Sequence, residues 1–428
     1  MQPAVFIRLR PRGPWRYGPG DGGQDRVDTL FRSDRLYSAL TLAMRQLGFL
    51  DEWIQATAQA TVPAVVLSSL FPFQGDTLFA PPPATLWPPP LSLVTTPSPV
   101  FLTKVRWSAA RFVPLALIES ILTGQHILAD QWIPDAASGC LLRRDRPSSS
   151  PYRVVTRSGA AVDRVTGSFV HPRTSACVEF ESGSGLWTAI RFANEKVHST
   201  WNDRVQSAFR LLSDSGFGGR RTSGWGQTAA PEFQSGAWPA LILPKLARTA
   251  QSNGSSGASD EALFYWLLSL YSPSASDHVD WREGSYDSTV RAGRVETNAP
   301  GSGAEKKRVR MITEGSVIKA DAEPAGTAVD VAPDGFPHPV YRAGFALSLA
   351  LPDIGVSVPS EPETAAEPPE VEEQEIDKSA PEEMTESEAA VREVPEEPAG
   401  AEPPETPSAE PSVSPEQAGD GEDGNYEI

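Results

Sequence analysis

The first part of the chain changes from an alternating apolar–polar pattern to a helical one. Apolar residues alternate with other residues over 4–10, which predicts a first strand. Apolar residues then recur every three or four positions at Leu36, Leu40 and Met44. This spacing places them on one apolar face, which predicts a helix over residues 34–47.

The polar residues at the start of this helix are typical of a helix N-terminus. Ser33 is the predicted N-cap, and Asp34 falls in the first turn, where a carboxylate stabilises the helix dipole. Residues 51–60 predict a second helix. The chain therefore begins with a strand followed by two helices.

The middle of the chain alternates between proline-rich and strongly patterned segments. Residues 71–99 are crowded with prolines, which predicts an irregular surface segment. Pro114–Leu122 is predicted as a short helix that begins with a proline. Ala176–Phe180 and Leu186–Phe192 are predicted strands, and the connection 181–185 predicts a hairpin turn between them.

The last third predicts one more helix pair and a returning sheet. Apolar positions favour helices over 201–213 and 261–271, with a polar linker at 244–260 and a loop at 272–304. The final predicted strands are 306–312, 315–319 and 340–350. Strands, helices and a returning sheet in this order fit ferredoxin-like β-α-β-β-α-β units, so the predicted fold class is α+β.

Charge is distributed unevenly along the 428 residues. The whole chain has a net charge of −18, which taken alone argues against binding to nucleic acid. Residues 361–428, however, hold 23 of the 55 acidic residues and only 2 of the 37 basic ones, so the other 360 residues carry about +3. This Pro/Glu-rich tail has almost no aromatic residues and is predicted to be disordered. The remaining body can therefore carry a basic surface.

The composition also limits the chemistry. Cys140 and Cys177 are the only cysteines and have no metal-ligand spacing, and the five histidines are scattered. No run of 18 apolar residues and no secretory segment is present, which favours a cytoplasmic protein without a membrane partner. We expect neither a metal nor a cofactor. A body of 360 residues is large for one core and favours two domains.

The glycine-rich loop 216–226, Gly-Phe-Gly-Gly-Arg-Arg-Thr-Ser-Gly-Trp-Gly, carries the strongest functional signal. Glycines allow close approach to the main chain, and exposed N–H groups together with arginines suit phosphate groups. We expect N–H groups near Gly218 and Gly219 to meet phosphates. A helix precedes the loop and a strand follows it, which is the reverse of a nucleotide-binding P-loop. The pattern favours a polyanion across the loop surface over a nucleotide in a pocket.

Five segments together resemble the RAMP superfamily, the RNA-binding subunits of CRISPR effector complexes. The glycine-rich loop resembles the glycine-rich loop of that group, Thr29–Leu40 its first-helix motif, and Val162–Gly167 its DR-x-TG segment. Met311–Val317 and His338–Phe345 are similar to the C-terminal half of a Cas-five-like subgroup, the fourth subunit of the type III-A (Csm) complex. The resemblance covers roughly residues 1–350.

This resemblance implies a domain organisation and a function. It implies two ferredoxin-like (RRM-like) units, the second degenerate, with a protruding β-hairpin, so we divide the chain at 1–235, 236–355 and 356–428, the last being the disordered acidic tail. It also implies a non-catalytic subunit that binds the 5′ handle of CRISPR RNA (crRNA) and caps the backbone. The implied neighbours are the large polymerase-type subunit, a backbone RAMP subunit and, nearby, target RNA.

The candidate RNA-binding residues lie in three segments. Arg164 and Thr166 match the family's motif, whereas the other arginines of segment 141–173 rest on charge and proximity, and Trp225 is either a core residue or a base-stacking platform. The full set is Ser33 and Arg35; Arg153, Arg157, Arg164, Thr166, His171 and Arg173; and Gly216, Gly218, Gly219, Arg220, Arg221, Thr222, Ser223, Gly224 and Trp225.

Several alternatives remain open at this stage. His171 could be the general base of a metal-independent endoribonuclease that processes crRNA. Asp34 could be catalytic in a backbone subunit that cuts target RNA, although its place in the first turn of a helix explains it as well. The Thr313–Ser316 segment could be a plain turn or a brace under the sheet. The chain could also belong to the related Cmr complex, or be a scaffold that binds proteins and no RNA.

Overall fold

The computed structural model describes residues 2–18, 23, 25–95, 106–145, 149–162, 165–166, 168–252, 263–295 and 303–352. All of them belong to one compact unit, Met1–Glu361. The predicted acidic tail and Arg164 lie outside the described residues, and the predicted boundary at 235/236 stays a prediction.

The helices and strands follow one another along the chain as follows. The helices are α1 (Ser33–Gln46), α2 (Leu50–Ala56), α3 (Leu115–Leu122), α4 (Glu195–Ser215) and α5 (Pro244–Ser252). The strands are β1 (Gln2–Leu9), β2 (Val65–Leu67), β3 (Phe71–Gln74), β4 (Thr77–Ala80), β5 (Val94–Thr95), β6 (Val113–Pro114), β7 (Ile127–Leu128), β8 (Trp132–Pro134), β9 (Leu141–Arg143), β10 (Tyr152–Val162), β11 (Phe169–Phe180), β12 (Ser184–Phe192), β13 (Glu232–Trp238), β14 (Leu263–Leu267), β15 (Val279–Ser285), β16 (Ser288–Arg291), β17 (Val309–Ile312), β18 (Val317–Ala320), β19 (Gly326–Asp330), β20 (Tyr341–Phe345) and β21 (Ser348–Ala350).

The largest sheet is antiparallel and has the order β13-β1-β12-β3-β4-β6, with β2 also paired to β12. Strand β1, next to the edge strand β13, places Val5 opposite Ile190 on one side and Ser235 on the other. Helices α1 and α4 pack against each other, and α4 contacts β1 and β12. The predicted first strand and first helix are confirmed. Val5, Ile7 and Leu9 are buried in β1, as is Phe6 on its opposite face, and the apolar face of α1 is buried too.

The helix predicted over 261–271 is wrong, because the described part of this segment forms strand β14. This strand lies inside the sheet β15-β18-β14-β21 and is hydrogen-bonded on both edges. A strand covered on both faces has a continuous apolar run, and periodicity cannot distinguish such a run from a buried helix. The aromatic residues Phe264, Tyr265 and Trp266 were the available signal for a strand.

Three connections also differ from the prediction. The loop expected at 272–304 contains β15 and β16, and the linker expected at 244–260 begins with α5. The proline-rich segment starts with the β3–β4 hairpin, since Pro72 lies where β3 pairs with β12 alone.

The turn at 181–185 is present but does not join a hairpin. Strand β11 pairs with β10, whereas β12 pairs with β1 in the largest sheet, so the chain changes sheets at this turn. The hairpin is therefore formed by β10 and β11, and residues 156–160 of β10 are exposed on both of its faces.

Candidate nucleic-acid interface

The glycine-rich loop connects α4 to β13, as the sequence predicts, and three of its glycines have positive φ where no larger residue fits. The φ angles of Gly216, Gly218 and Gly226 are 89°, 78° and 80°. A Cβ atom at these positions would lie 2.5, 2.4 and 2.0 Å from the carbonyl oxygens of Trp225, Arg16 and Phe217, respectively. The tight backbone packing of the loop therefore accounts for these glycines before any ligand is considered.

The N-terminal segment 11–18, for which the sequence suggested no role, clamps the glycine-rich loop. The N–H group of Gly226 donates to the carbonyl of Pro14 at 2.9 Å, and the N–H group of Gly219 donates to the carbonyl of Arg16 at 2.7 Å. The expected phosphate donor at Gly219 is thus occupied within the chain. Phe217 is buried and stacks on Trp15, with ring centroids 5.2 Å apart, so the loop is fixed from both sides.

Replacing Gly226 by alanine should destabilise this loop strongly. Alanine at positive φ costs about 1–2 kcal/mol, and the overlap with the Phe217 carbonyl adds a further ~1–3 kcal/mol. The matched control is Gly224→Ala, because Gly224 has a φ of 77° and its Cβ would meet nothing closer than 3.9 Å. Urea unfolding should show a clearly smaller loss for Gly224→Ala. Equal losses would contradict the close packing of the loop.

A basic groove lies between this loop, helix α1 and the C-terminal strands. Its volume is about 310 Å³, and Gly216, Gly218 and Gly219 form part of its wall. Five cationic side chains and one carboxylate, Asp34, line it; the cations are Arg16, Arg35, Arg221, Lys306 and Arg342. Such an excess of positive charge around a concave surface attracts polyanions.

Asp34 is the centre of a buried ion-pair cluster beneath the groove. Its carboxylate is 1% exposed and accepts hydrogen bonds from Arg291 at 3.0 and 3.1 Å and from Arg342. Burial alone would raise the pKa of Asp34, but the charges of Arg291 and Arg342 outweigh it and lower the pKa to about 2. Asp34 therefore holds Arg342 in place as a carboxylate that is ionised near neutral pH and paired with two arginines, which makes it a poor candidate for catalysis.

Arg35 faces the groove from the first turn of α1. Its guanidinium donates to the carbonyl of Gly18, while its Nη1 atom is buried without a hydrogen-bond partner. Burial, followed by the nearby charge of Arg291, lowers the pKa of Arg35 to about 10. The same Nη1 atom lies 3.9 Å from the carboxylate of Asp28, and a phosphate in the groove would add a hydrogen-bond acceptor and further negative charge beside it.

Ser33 is a buried structural residue. It is neither the N-cap of α1 nor exposed for the phosphate contact that the sequence predicts. Helix α1 has Arg32 as its N-cap residue, and Ser33 is buried. The Ser33 hydroxyl accepts a hydrogen bond from the backbone N–H of Leu270 at 2.9 Å. Ser33 therefore joins the start of α1 to the C-terminal part of the chain.

The turn Thr313–Ser316 is a second link, after the Ser33–Leu270 hydrogen bond, between the C-terminal part of the chain and the region around the start of α1. The Glu314 carboxylate is buried and is bound by Arg32 and by the hydroxyl of Ser69. Burial raises the pKa of Glu314, and the Arg32 charge opposes that shift. This turn separates β17 from β18, which lie in different sheets, so it is more than a hairpin turn.

The β10–β11 hairpin carries the second group of predicted residues. Arg153 and Arg157 are exposed, and both pair with Glu179, at 3.6 and 2.5 Å. Thr166 is exposed at the tip, where its hydroxyl accepts a hydrogen bond from the N–H of Ser168. The backbone register pairs His171 with Ala161 and Arg173 with Gly159, but the side chains of His171 and Arg173 lie outside the described part of the structure.

The remaining loop residues lie on the surface beside the groove. Arg220 has a φ of 60° and its guanidinium lies over the Trp225 ring, 5.2 Å from the centroid. Trp225 is half-buried, so it is outside the main core, and Thr222, Ser223 and Gly224 are exposed. An arginine held over an indole gives a flat surface suitable for stacking with a base.

Sequence analysis missed two of the groove's cations, Arg16 and Lys306, which lie outside every motif that was identified. A third cation, Arg342, lies in the segment His338–Phe345 that carries part of the family resemblance, and all three are far apart along the chain. Only the topology brings them to α1 and the glycine-rich loop. Within the described residues, no group of three or more His, Cys, Asp and Glu side chains could hold a metal ion, and no helix is long and apolar enough to cross a membrane.

Comparisons with known proteins agree with the resemblance seen in the sequence. Residues 260–351 match the family model of the CRISPR Csm4 C-terminal domain. The "CRISPR system Cms protein Csm4" of Thermococcus onnurineus (strain NA1) is 26% identical over 236 residues, which cover 53% of this chain and 67% of that protein.

A solved structure supports the same fold. The Csm3–Csm4 subcomplex of the type III-A CRISPR–Cas interference complex contains a chain that is similar with a TM-score of 0.50 and 14% identity, over 81% of this chain and 99% of that one. The Csm1–Csm4 cassette in complex with cA4 gives a TM-score of 0.46 and 18% identity, over 82% and 98%. The sequence matches make the chain similar to the RAMP proteins of CRISPR systems. Within that class, the chain is a Csm4-like protein of the type III-A system.

Proposed function

We propose that this protein is a non-catalytic, RNA-binding subunit of a type III-A CRISPR interference complex, and that it binds the 5′ handle of crRNA. The observation that carries the proposal is the basic groove, which joins the glycine-rich loop to cationic side chains from three parts of the chain. Single-stranded RNA is usually held by backbone charge and by stacking of splayed bases. The groove supplies the charge, and the Arg220–Trp225 pair beside it supplies a stacking surface.

The shape of the site supports binding without chemistry. The carboxylate of Asp34 is paired with Arg291 and Arg342, which supports binding over the alternative in which Asp34 cuts target RNA. The alternative of a metal-independent endoribonuclease rests on His171 and predicts cleavage of repeat RNA that is lost in His171→Ala. The proposed subunit should leave that RNA intact.

The proposed position of the protein in the complex rests on its similarity to Csm4. We propose that the protein caps one end of the backbone, next to a backbone RAMP subunit, and contacts the large polymerase-type subunit. The β10–β11 hairpin, with residues exposed on both faces, suits a projection toward the guide–target duplex. The two ferredoxin-like units of the sequence prediction, the second degenerate, belong to the same proposal.

The first test is to identify the RNA that the protein carries. The chain is co-expressed with its neighbouring genes, the complex is purified, and the bound RNA is sequenced and cross-linked by ultraviolet light. We expect short RNAs with one shared 5′ sequence and cross-links to peptides 216–226 or 141–173. RNA without a shared 5′ end, or no RNA, would contradict handle binding and favour the protein-scaffold alternative.

A further inference from the structure

An exposed tryptophan on the C-terminal sheet stands apart from the groove. All eleven tryptophans lie in the described part of the chain, and Trp281, whose side chain is 38% exposed, is the most exposed of them. It belongs to β15, an edge strand of the sheet β15-β18-β14-β21. Tryptophans that a fold holds at its surface are characteristic of the centres of protein interfaces.

The backbone turns Trp281 out of the sheet. Asp280 pairs with Lys319 of β18, but the next pair along the ladder is Gly284 with Ile318, so residues 281–283 bulge from the edge. Gly284 makes this bulge possible, because its φ is 103° and a Cβ atom would lie 2.5 Å from the carbonyl of Val317. Bulges of this kind redirect a side chain and also interrupt further strand pairing.

A second aromatic residue holds Trp281 in this position. The Tyr286 hydroxyl donates to the Trp281 carbonyl at 3.2 Å, and the two rings meet edge to face with centroids 5.2 Å apart. Tyr286 is itself 40% exposed. The pair is thus a preformed apolar knob, and little side-chain freedom would be lost when a partner covers it.

The charges around this knob favour a protein over RNA. Asp280, Glu283 and Asp287 are exposed within eight residues of the chain, and Arg282 is the only cation of that segment. Lys319 is already paired with Glu283 at 2.9 Å. Phosphate groups are repelled by such surroundings. A protein pocket with an apolar floor and a basic rim is complementary to the knob in both respects.

We infer that Trp281 and Tyr286 anchor this subunit to a protein neighbour in the complex through an apolar pocket rimmed by Lys or Arg. The inference rests on the proposed function for the identity of the assembly, but it concerns a surface separate from the RNA groove. It assigns the bulged edge of the C-terminal sheet to protein contact and leaves the groove to the RNA.

The test measures pairwise binding of the full chain to the purified large polymerase-type subunit and, separately, to the backbone RAMP subunit. Trp281→Ala should weaken at least one of these associations tenfold or more, Trp281→Phe should weaken it less, and Asp280→Lys/Glu283→Lys should weaken the same association. The control is Ile133→Ala, which removes another exposed apolar side chain, 45% exposed on β8. Thermal melting and circular dichroism confirm that each variant is folded.

The outcomes separate the two proposals. If the wild type binds a subunit and Trp281→Ala binds it equally well, the anchor is wrong and the proposed function stands. If Trp281→Ala lowers affinity for handle RNA instead, the knob is a base-stacking site and the anchor is again wrong. If the wild type binds neither subunit, the proposed position in the complex is wrong, and the inferred anchor is wrong with it.

Discussion

Replacing Asp34 by alanine should be among the most destabilising single substitutions in this protein, with a loss of about 3–5 kcal/mol in the free energy of unfolding. The reason is that Arg291 and Arg342, which are 4% and 7% exposed, would keep their charges in a buried site without the carboxylate that neutralises them. Urea unfolding followed by tryptophan fluorescence measures the change.

A matched control separates the contribution of the ion pairs to stability from that of the helix dipole. Asp51 also lies in the first turn of a helix, α2, but is exposed. Asp51→Ala should lose only the dipole interaction, about 0.3–1 kcal/mol. Comparable losses in both variants would show that the buried cluster contributes little to stability.

The same carboxylate gives a defined pH dependence. Since its folded pKa, about 2, lies below the value near 3.9 of an unfolded aspartate, the stabilisation is fully present above about pH 4 and is lost as the pH falls toward 2. The stability difference between wild type and Asp34→Asn should therefore be constant from pH 7 to about pH 5 and should narrow below pH 4. A difference that already narrows near pH 6 would contradict the lowered pKa.

Removing two cations from the groove should have the largest effect on RNA binding. Arg221→Ala/Lys306→Ala takes away two groove-lining charges, one from the glycine-rich loop and one from the C-terminal part of the chain. With about 1.4 kcal/mol for each charge-assisted contact, affinity for handle RNA should fall about 100-fold at low salt. The slope of log affinity against log salt should decrease by about 0.7 for each lost phosphate contact. Fluorescence anisotropy over a salt series measures both quantities.

The control for this experiment is Lys196→Ala at the exposed start of α4, outside the groove. It removes a charge of the same sign and should change affinity less than twofold. If Lys196→Ala and the groove variant behave alike, the RNA responds to the overall charge of the protein, and the groove is not its site.

The sequence predicted the first layer of the fold because its signals are local. Leu36, Leu40 and Met44 mark the buried face of α1, and the structure confirms that face. The helix prediction for the β14 segment was wrong because a strand buried on both faces has no hydrophobic period to detect. The glycine-rich loop was recognised, but the reason for its glycines lies partly in the clamp by segment 11–18, which depends on tertiary contacts.

The groove could be predicted only in part for the same reason. Arg35 and Arg221 belong to motifs with a recognisable composition, whereas Lys306 contributes to the site only through the topology. Asp34 attracted attention as a possible catalytic group because its arginine partners are more than 250 positions away in the sequence. A carboxylate with such distant partners cannot be distinguished by sequence alone from one that is available for chemistry.

The groove is lined by residues from Arg16 to Arg342, so it is assembled by nearly the full length of the folded body. During synthesis on the ribosome, the glycine-rich loop and α1 emerge long before Arg342 does. A nascent or truncated chain that ends before Arg342 therefore lacks the complete groove. In the proposed function, such a chain would not bind handle RNA at this site, so translation of the body has to be finished before RNA is loaded.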